Sequence, residues 1–293
     1  MTSLSNWGRW GKDDQLGALN LITPAKRKAA AALVREGLSI SLAHPLITET
    51  TPDNPNPLNH TMVATGEGDN PGSYSIDRYE ILYHGFAHTH LDALCHIWWN
   101  GKMYNGFDRS EVTAEGCSKL GIANVQQGVF TRGVLIDMAW FKGVEYLEPG
   151  TAIYTADLEA WETKTGIRVQ PGDAVLLRTG RWARRAAVGA TSPALGAAGL
   201  HASTAKWLKD RDVAILGSDV ASDVMPSGVE GFPGLPIHQL TIVALGLPLI
   251  DNGDYQELSK EAQARGRWDF LFTLAPMRVE GGTGSPVNPI ATF

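Results

Sequence analysis

An α/β fold built on a mixed β-sheet is the expectation from this sequence, and three observations carry it. Short apolar runs that read as buried strands, at residues 133–138, 174–177 and 213–217, are interspersed with helix-patterned stretches instead of being segregated from them. The length of 293 residues and a hydrophobic share of 43% suffice for one full core. No internal repeat points to a solenoid or propeller. Residues 1–293 are therefore expected to form a single domain, with an N-terminal helical segment (1–43) and a long loop (44–80) that acts as a lid.

The elements follow in order. Thr23 is a helix N-cap, Pro24 suits the first helical position, and Gly37 stops a helix over residues 25–36. Residues 38–42 alternate as a short strand. Residues 44–80 are rich in Pro, Asn, Thr and Gly and show little periodicity, which reads as loop. A strand ending near Asp92 comes next, and a turn brings His96 back. Thr155 caps a helix that runs to Gly166, and Pro171-Gly172-Asp173 turns into the strand at 174–177. Residues 203–209 read as a helix, 238–245 as a helix stopped by Gly246, and 268–279 as a closing strand or hairpin arm.

Composition narrows the function. The net charge is −6 and no Lys/Arg cluster is present, which argues against nucleic acid and for a small-molecule substrate. Cys95 and Cys117 are the two cysteines, too few for a disulfide framework. The first residues lack a signal-peptide core, and no apolar run approaches the roughly 20 residues that span a bilayer. A cytoplasmic protein without membrane attachment is expected.

The densest chemistry lies at His84-Gly-Phe-Ala-His88-Thr-His90-Leu-Asp92-Ala-Leu-Cys-His96, which holds four of the eight histidines. Imidazole and carboxylate are ligands for divalent metals, and this mixed nitrogen and oxygen set suits Zn²⁺ and Mn²⁺ alike. As a helix, the run would align His84, His88, Asp92 and His96. As a strand, it places His84, Phe86, His88, His90 and Asp92 on one face. Tyr83, Gly85, Phe86 and Thr89 favour the strand. Four unligated buried imidazoles would each cost roughly 1–3 kcal/mol for want of partners, so a metal centre is the better reading. Of the nine tryptophans, Trp98 and Trp99 follow His96 directly and are candidates to wall a pocket.

Several ordered segments carry a family resemblance: Thr89-His90-Leu91-Asp92-Ala93-Leu94-Cys95-His96, Arg132-Gly133-Val134-Leu135-Ile136-Asp137, Pro171 through Gly180, Gly217 through Asp223, and His238-Gln239-Leu240 on to Asp251-Asn252. With these the chain resembles the cyclase family of metal-dependent hydrolases, which includes bacterial kynurenine formamidases and isatin hydrolases. The resemblance implies a swivelling β/β/α-like architecture and hydrolysis of a small amide, formamide, cyclic imide or lactone. It also implies His90 and Asp92 as metal ligands, His96 as catalytic base, His238 and Asp251 at a second metal position, and a homodimer or homotetramer.

The family motif, His-x-Gly-Thr-His-x-Asp-x-Pro-x-His, puts its first ligand at Phe86 and its glycine at His88. Two residues along the strand face, His88 is the expected replacement, with His84 the lesser choice. Asp251 stands where glutamate is usual. Gln239 is a candidate to orient a carbonyl, and Arg178 and Arg181 to pair with a substrate carboxylate. Two other classes fit parts of the pattern: a non-haem Fe(II) oxygenase using His90, Asp92 and His238, and a catalytically silent metal- or ligand-binding homologue.

Overall fold

The computed structural model describes residues 2–66, 72, 74–232 and 234–293. Its centre is a nine-stranded mixed sheet. The strands are β1 (Ser39–Ser41), β4 (His90–Asp92), β5 (Val129–Asp137), β6 (Ala174–Arg178), β7 (Ile215–Ser218), β8 (Leu249–Asp251), β9 (Asp269–Leu274), β10 (Gly284–Pro286) and β11 (Ile290–Thr292), and they lie in the order β1-β11-β9-β5-β6-β7-β8-β4-β10. A separate hairpin pairs β2 (Asn59–Ala64) with β3 (Ile76–Glu80).

The four middle strands, β5 to β8, run parallel, with Leu135 opposite Leu176, Leu176 opposite Gly217 and Gly217 opposite Ile250. Parallel strands are covered on both faces, so their sequences are continuous apolar runs. Val134, Leu135, Ile136, Leu176, Ile215 and Leu216 are all fully buried. Antiparallel strands finish both edges, β4 and β10 beside β8, and β9, β11 and β1 beside β5. The α/β expectation is met, and parallel central strands leave no jelly roll for the oxygenase alternative.

Helices α1 (Pro24–Ala31), α2 (Thr155–Thr165), α3 (Arg181–Val188), α4 (Ala205–Asp210) and α5 (Gln256–Arg265) accompany the sheet. Thr23 caps α1 by accepting from the Lys26 amide at 3.1 Å. That helix ends five residues short of the expected Glu36, because the amides of Glu36 and Gly37 donate instead to the Phe293 carbonyl. Gly166 closes α2 in a left-handed conformation, as expected. Residues 239–245 form a π-helix ended by Gly246.

One expectation is corrected. The segment 44–80 is not structureless, since it carries the β2–β3 hairpin; its residues 67–71 and 73 lie outside the described set. The last strand, β11, pairs with β9 and β1, and Phe293 after it is fully buried. Among the described residues no helix is long and apolar enough to cross a membrane.

Candidate metal centre

The C-terminal ends of parallel strands are where α/β sheets bind ligands, and β8 ends there in Asp251. Antiparallel pairing sets His90 opposite Asp251, and Asp92 opposite Gly284 of β10. The ordered strand begins only at His90, so the expected strand from His84 is corrected: residues 84–89 are irregular. Their path is fixed by distant partners. Asn252 donates from Nδ2 to the carbonyls of Gly85 (2.8 Å) and His88 (3.1 Å), and its own carbonyl accepts from Thr89 Oγ1 (2.7 Å). Arg181 Nη2 donates to the Phe86 carbonyl, and Gly85 adopts φ +142°, a value that L side chains avoid.

Once alternation fails, the faces are redistributed. His84 enters the centre, and Phe86 packs on the apolar cluster of Ala197, Val220, Ala221 and Met225. His88 is buried apart from the ligand groups, with neither ring nitrogen hydrogen-bonded. The structure thus brings together His90, Asp92, His96, His238 and Asp251 but not His88, and adds His84 in its place.

Asp92 is the hub. On its Oδ1 side lie His84 Nδ1 at 3.0 Å and His90 Nε2 at 3.4 Å; on its Oδ2 side lies His238 Nε2 at 3.9 Å, itself 3.2 Å from Asp251 Oδ2. Two potential ligand groups result, His84–His90–Asp92 and Asp92–His238–Asp251, sharing one carboxylate. Each imidazole is oriented from behind. His90 Nδ1 is 2.8 Å from the His88 carbonyl, His84 Nε2 is 3.1 Å from Thr283 Oγ1, and His238 Nδ1 is 2.6 Å from Asp223 Oδ2. Asp223 is steadied in turn by the amides of Ile237 and His238. Partners of this kind fix the tautomer that presents a lone pair to a metal.

The charges of the site act directly on one another. Burial would raise the Asp92 carboxyl, but His96, His84 and His90 hold it well below the usual carboxylate range. Burial would lower His238, yet Asp251 and Asp223 hold it well above the ordinary imidazole value. His84 Nδ1, Asp92 Oδ1 and Asp251 Oδ1 are buried without any hydrogen-bond partner. Carboxylate and imidazole atoms that converge without hydrogen-bond geometry at these three positions are what a divalent cation would satisfy, so the donor set fits one.

His96 lies at the rim. Its Nε2 is 3.9 Å from Asp92 Oδ1, and its ring stacks on His84 at 3.9 Å with planes 2° apart. Burial pushes it down to about 4 against the pull of Asp92, with His84, His238 and His90 adding to the depression. Trp98 is exposed with Arg109 over its ring, Trp99 lies 5.8 Å from the Phe232 ring, and Gln239 heads the π-helix beside His238. Arg178 is not free for a ligand: it forms a buried ion pair with Asp137 at 2.9 Å and donates to Gln256.

The Cyclase family model, described as "Putative cyclase", matches residues 40–223. The chain belongs to the cyclase family. A crystal structure of a novel cyclase is 33% identical, with a TM-score of 0.87 and 99% of each chain covered. Two more distant structures share the fold. Isatin hydrolase A from Ralstonia solanacearum is 22% identical, with a TM-score of 0.62 over 92% of this chain and 97% of that one. A predicted metal-dependent hydrolase from Bacillus stearothermophilus is 17% identical, with a TM-score of 0.54 over 88% and 98%. No curated protein matches the sequence. Within this cyclase, His84, the lesser choice in the motif register, stands in the cluster where His88 is preferred, because a side chain outside the regular strand leaves no periodic trace.

Proposed function

We propose that this cyclase-family protein is a metal-dependent hydrolase that cleaves a C–N bond of a small amide, formamide or cyclic imide, or a lactone ester, using Zn²⁺ or Mn²⁺. One observation carries the reading: the two oxygens of buried Asp92 face two different histidine groups, with unpartnered lone pairs between them. The hydrolase names of the distant fold relatives agree with it.

A bound divalent ion supplies Lewis acidity, acidifying water and polarising a carbonyl. His84, His90, Asp92, His238 and Asp251 hold it, and Asp223 keeps His238 Nε2 turned inward. His96 performs the proton transfers. Its depressed basicity leaves it neutral at cellular pH, and a nearby cation would depress it further, so Nε2 is free to accept a proton from water and return it to the leaving nitrogen or oxygen.

Treatment with a chelator is expected to abolish turnover across an amide and lactone panel, and readded Zn²⁺ or Mn²⁺ to restore it. His96→Ala should lose roughly 10²- to 10⁴-fold in kcat while keeping its metal. Full activity in metal-stripped protein would overturn the mechanism, and loss of metal from His96→Ala would make His96 a ligand.

A further inference from the structure

A small cavity that shares no lining residue with the metal centre lies beside the ends of β6 and β7, against α3. Its volume is about 40 Å³, room for roughly three water-sized groups at about 10–15 Å³ each. Leu147, Pro149 and Val220 give it apolar walls, and Arg181, Arg184 and Arg185 give it charge. The three arginines share one face of α3 because they stand at i, i+3 and i+4.

This lining carries one carboxylate for three guanidinium groups. Asp53 accepts from Arg181 Nη2 at 3.0 Å and from Arg185 Nε at 2.8 Å, so two cations share a single negative charge. Arg184 has a 3.3 Å contact with the exposed Glu148 and a 3.2 Å bond to the Thr191 hydroxyl. The substrate carboxylate that the sequence led us to expect at Arg178 and Arg181 finds both engaged: Arg178 is spent on Asp137, and Arg181 on Asp53 and the Phe86 carbonyl, with its Nη1 buried. Free donors remain one turn further on. Arg184 Nη2 and Arg185 Nη1 make no hydrogen bond among the described residues, and these two side chains are 23% and 24% exposed, so a solute can reach them. Burial and the neighbouring Arg185 push Arg181 down to about 10 against Asp53 and Asp219, so added negative charge nearby would be stabilising.

We propose that this cavity binds a small carboxylate, with Arg184 and Arg185 holding the charge and the apolar walls covering a short carbon body. An inorganic oxyanion would offer nothing to Leu147, Pro149 or Val220 and would lose water against them. Hydrolysis of a formamide or short-chain amide adds water across the C–N bond and leaves such an acid beside an amine. On that point alone the proposal rests on the hydrolase reading: the site then suits a product of the reaction.

The test titrates acetate, its uncharged counterpart acetamide, and inorganic phosphate into the full chain as purified, by ligand-observed NMR at low ionic strength, because salt screens exposed arginines. Acetate should bind more tightly than either of the others. Arg184→Gln removes one guanidinium and leaves both partners of Asp53 in place, so the chain should stay folded with its metal content unchanged while acetate weakens roughly tenfold or more, the worth of a charge-assisted hydrogen bond. Arg184→Lys keeps the charge and should bind acetate more tightly than Arg184→Gln. The inference is overturned if acetate does not bind, if acetamide or phosphate binds as well, if the two Arg184 variants are equal, or if Arg184→Gln leaves the affinity unaltered, as it would were acetate seated on the metal ion. Acetate binding that depends on Arg184 in a metal-loaded protein without turnover would instead count against the hydrolase reading alone.

Discussion

A missing Cβ decides how His84 reaches Asp92. Were position 284 any other residue, its Cβ would lie 2.6 Å from the Leu91 carbonyl oxygen and 2.9 Å from His84 Cε1. The first contact is with backbone of the ligand strand and cannot be relieved by a rotamer change, so either β10 moves or the His84 ring does. Thr283, the preceding residue, holds the far side of that ring. Gly284→Ala is therefore expected to weaken metal binding about 10- to 100-fold, the range seen when a ligand's supporting contacts are lost, with the protein still folded. Competition against a chromogenic chelator measures it, and an unchanged affinity would mean that His84 is not among the ligands. The same contact explains why the motif register misleads. His84 is admitted by a glycine two hundred residues further along the chain, and no spacing rule within 84–96 contains that information.

At the scale of elements, the turn from β6 into α3 is built around one buried carboxylate. Asp219, just past β7, accepts from the amides of Thr179 (2.9 Å), Gly180 (2.7 Å) and Arg181 (3.1 Å) and from the Thr179 hydroxyl (2.8 Å). Gly180 has φ +87° and lies so close to Glu145 that a Cβ would meet its carbonyl oxygen at 2.5 Å. Asp219→Asn would turn an amide NH₂ toward donors that need an acceptor, and should cost about 3 kcal/mol, visible as a lower urea midpoint. A loss under about 0.5 kcal/mol would show that the turn is held elsewhere. This turn also marks what the sequence makes legible. The parallel strands β5, β6 and β7 announce themselves as apolar runs because both faces are covered, and the caps at Thr23 and Gly166 are local chemistry. Residues 84–89 are different, since Asn252 and Arg181 impose their path from distant parts of the chain. The short strands β10, at one edge of the sheet, and β11, between β1 and β9, are equally silent, with three residues each and no alternation to read.

For the molecule as a whole, the outer segment near residue 53 is fastened to the sheet-bearing body by charge. Asp53 is 3.0 Å from Arg181 Nη2 and 2.8 Å from Arg185 Nε, both on α3, and accepts from Thr51 Oγ1 at 2.7 Å. Because the same Arg181 nitrogen also holds the Phe86 carbonyl, the clasp ties the segment around Asp53 to the run that carries His84. Burial would raise the Asp53 carboxyl, but Arg185, Thr51 and Arg181 together hold it below its ordinary value of 3.8. A carboxylate whose folded value is depressed contributes stability that is complete above the unfolded value and is lost as pH falls through the folded one. The clasp should thus be intact at neutral pH and begin to weaken as pH drops below about 4. Asp53→Asn removes the titrating charge, so the variant should be less stable than the parent at pH 7, and the gap should close in the acid range. Urea midpoints for both proteins between pH 3 and 7 test this: two curves that stay parallel would show that Asp53 has the same proton affinity folded and unfolded, and that the clasp contributes no pH-dependent stability.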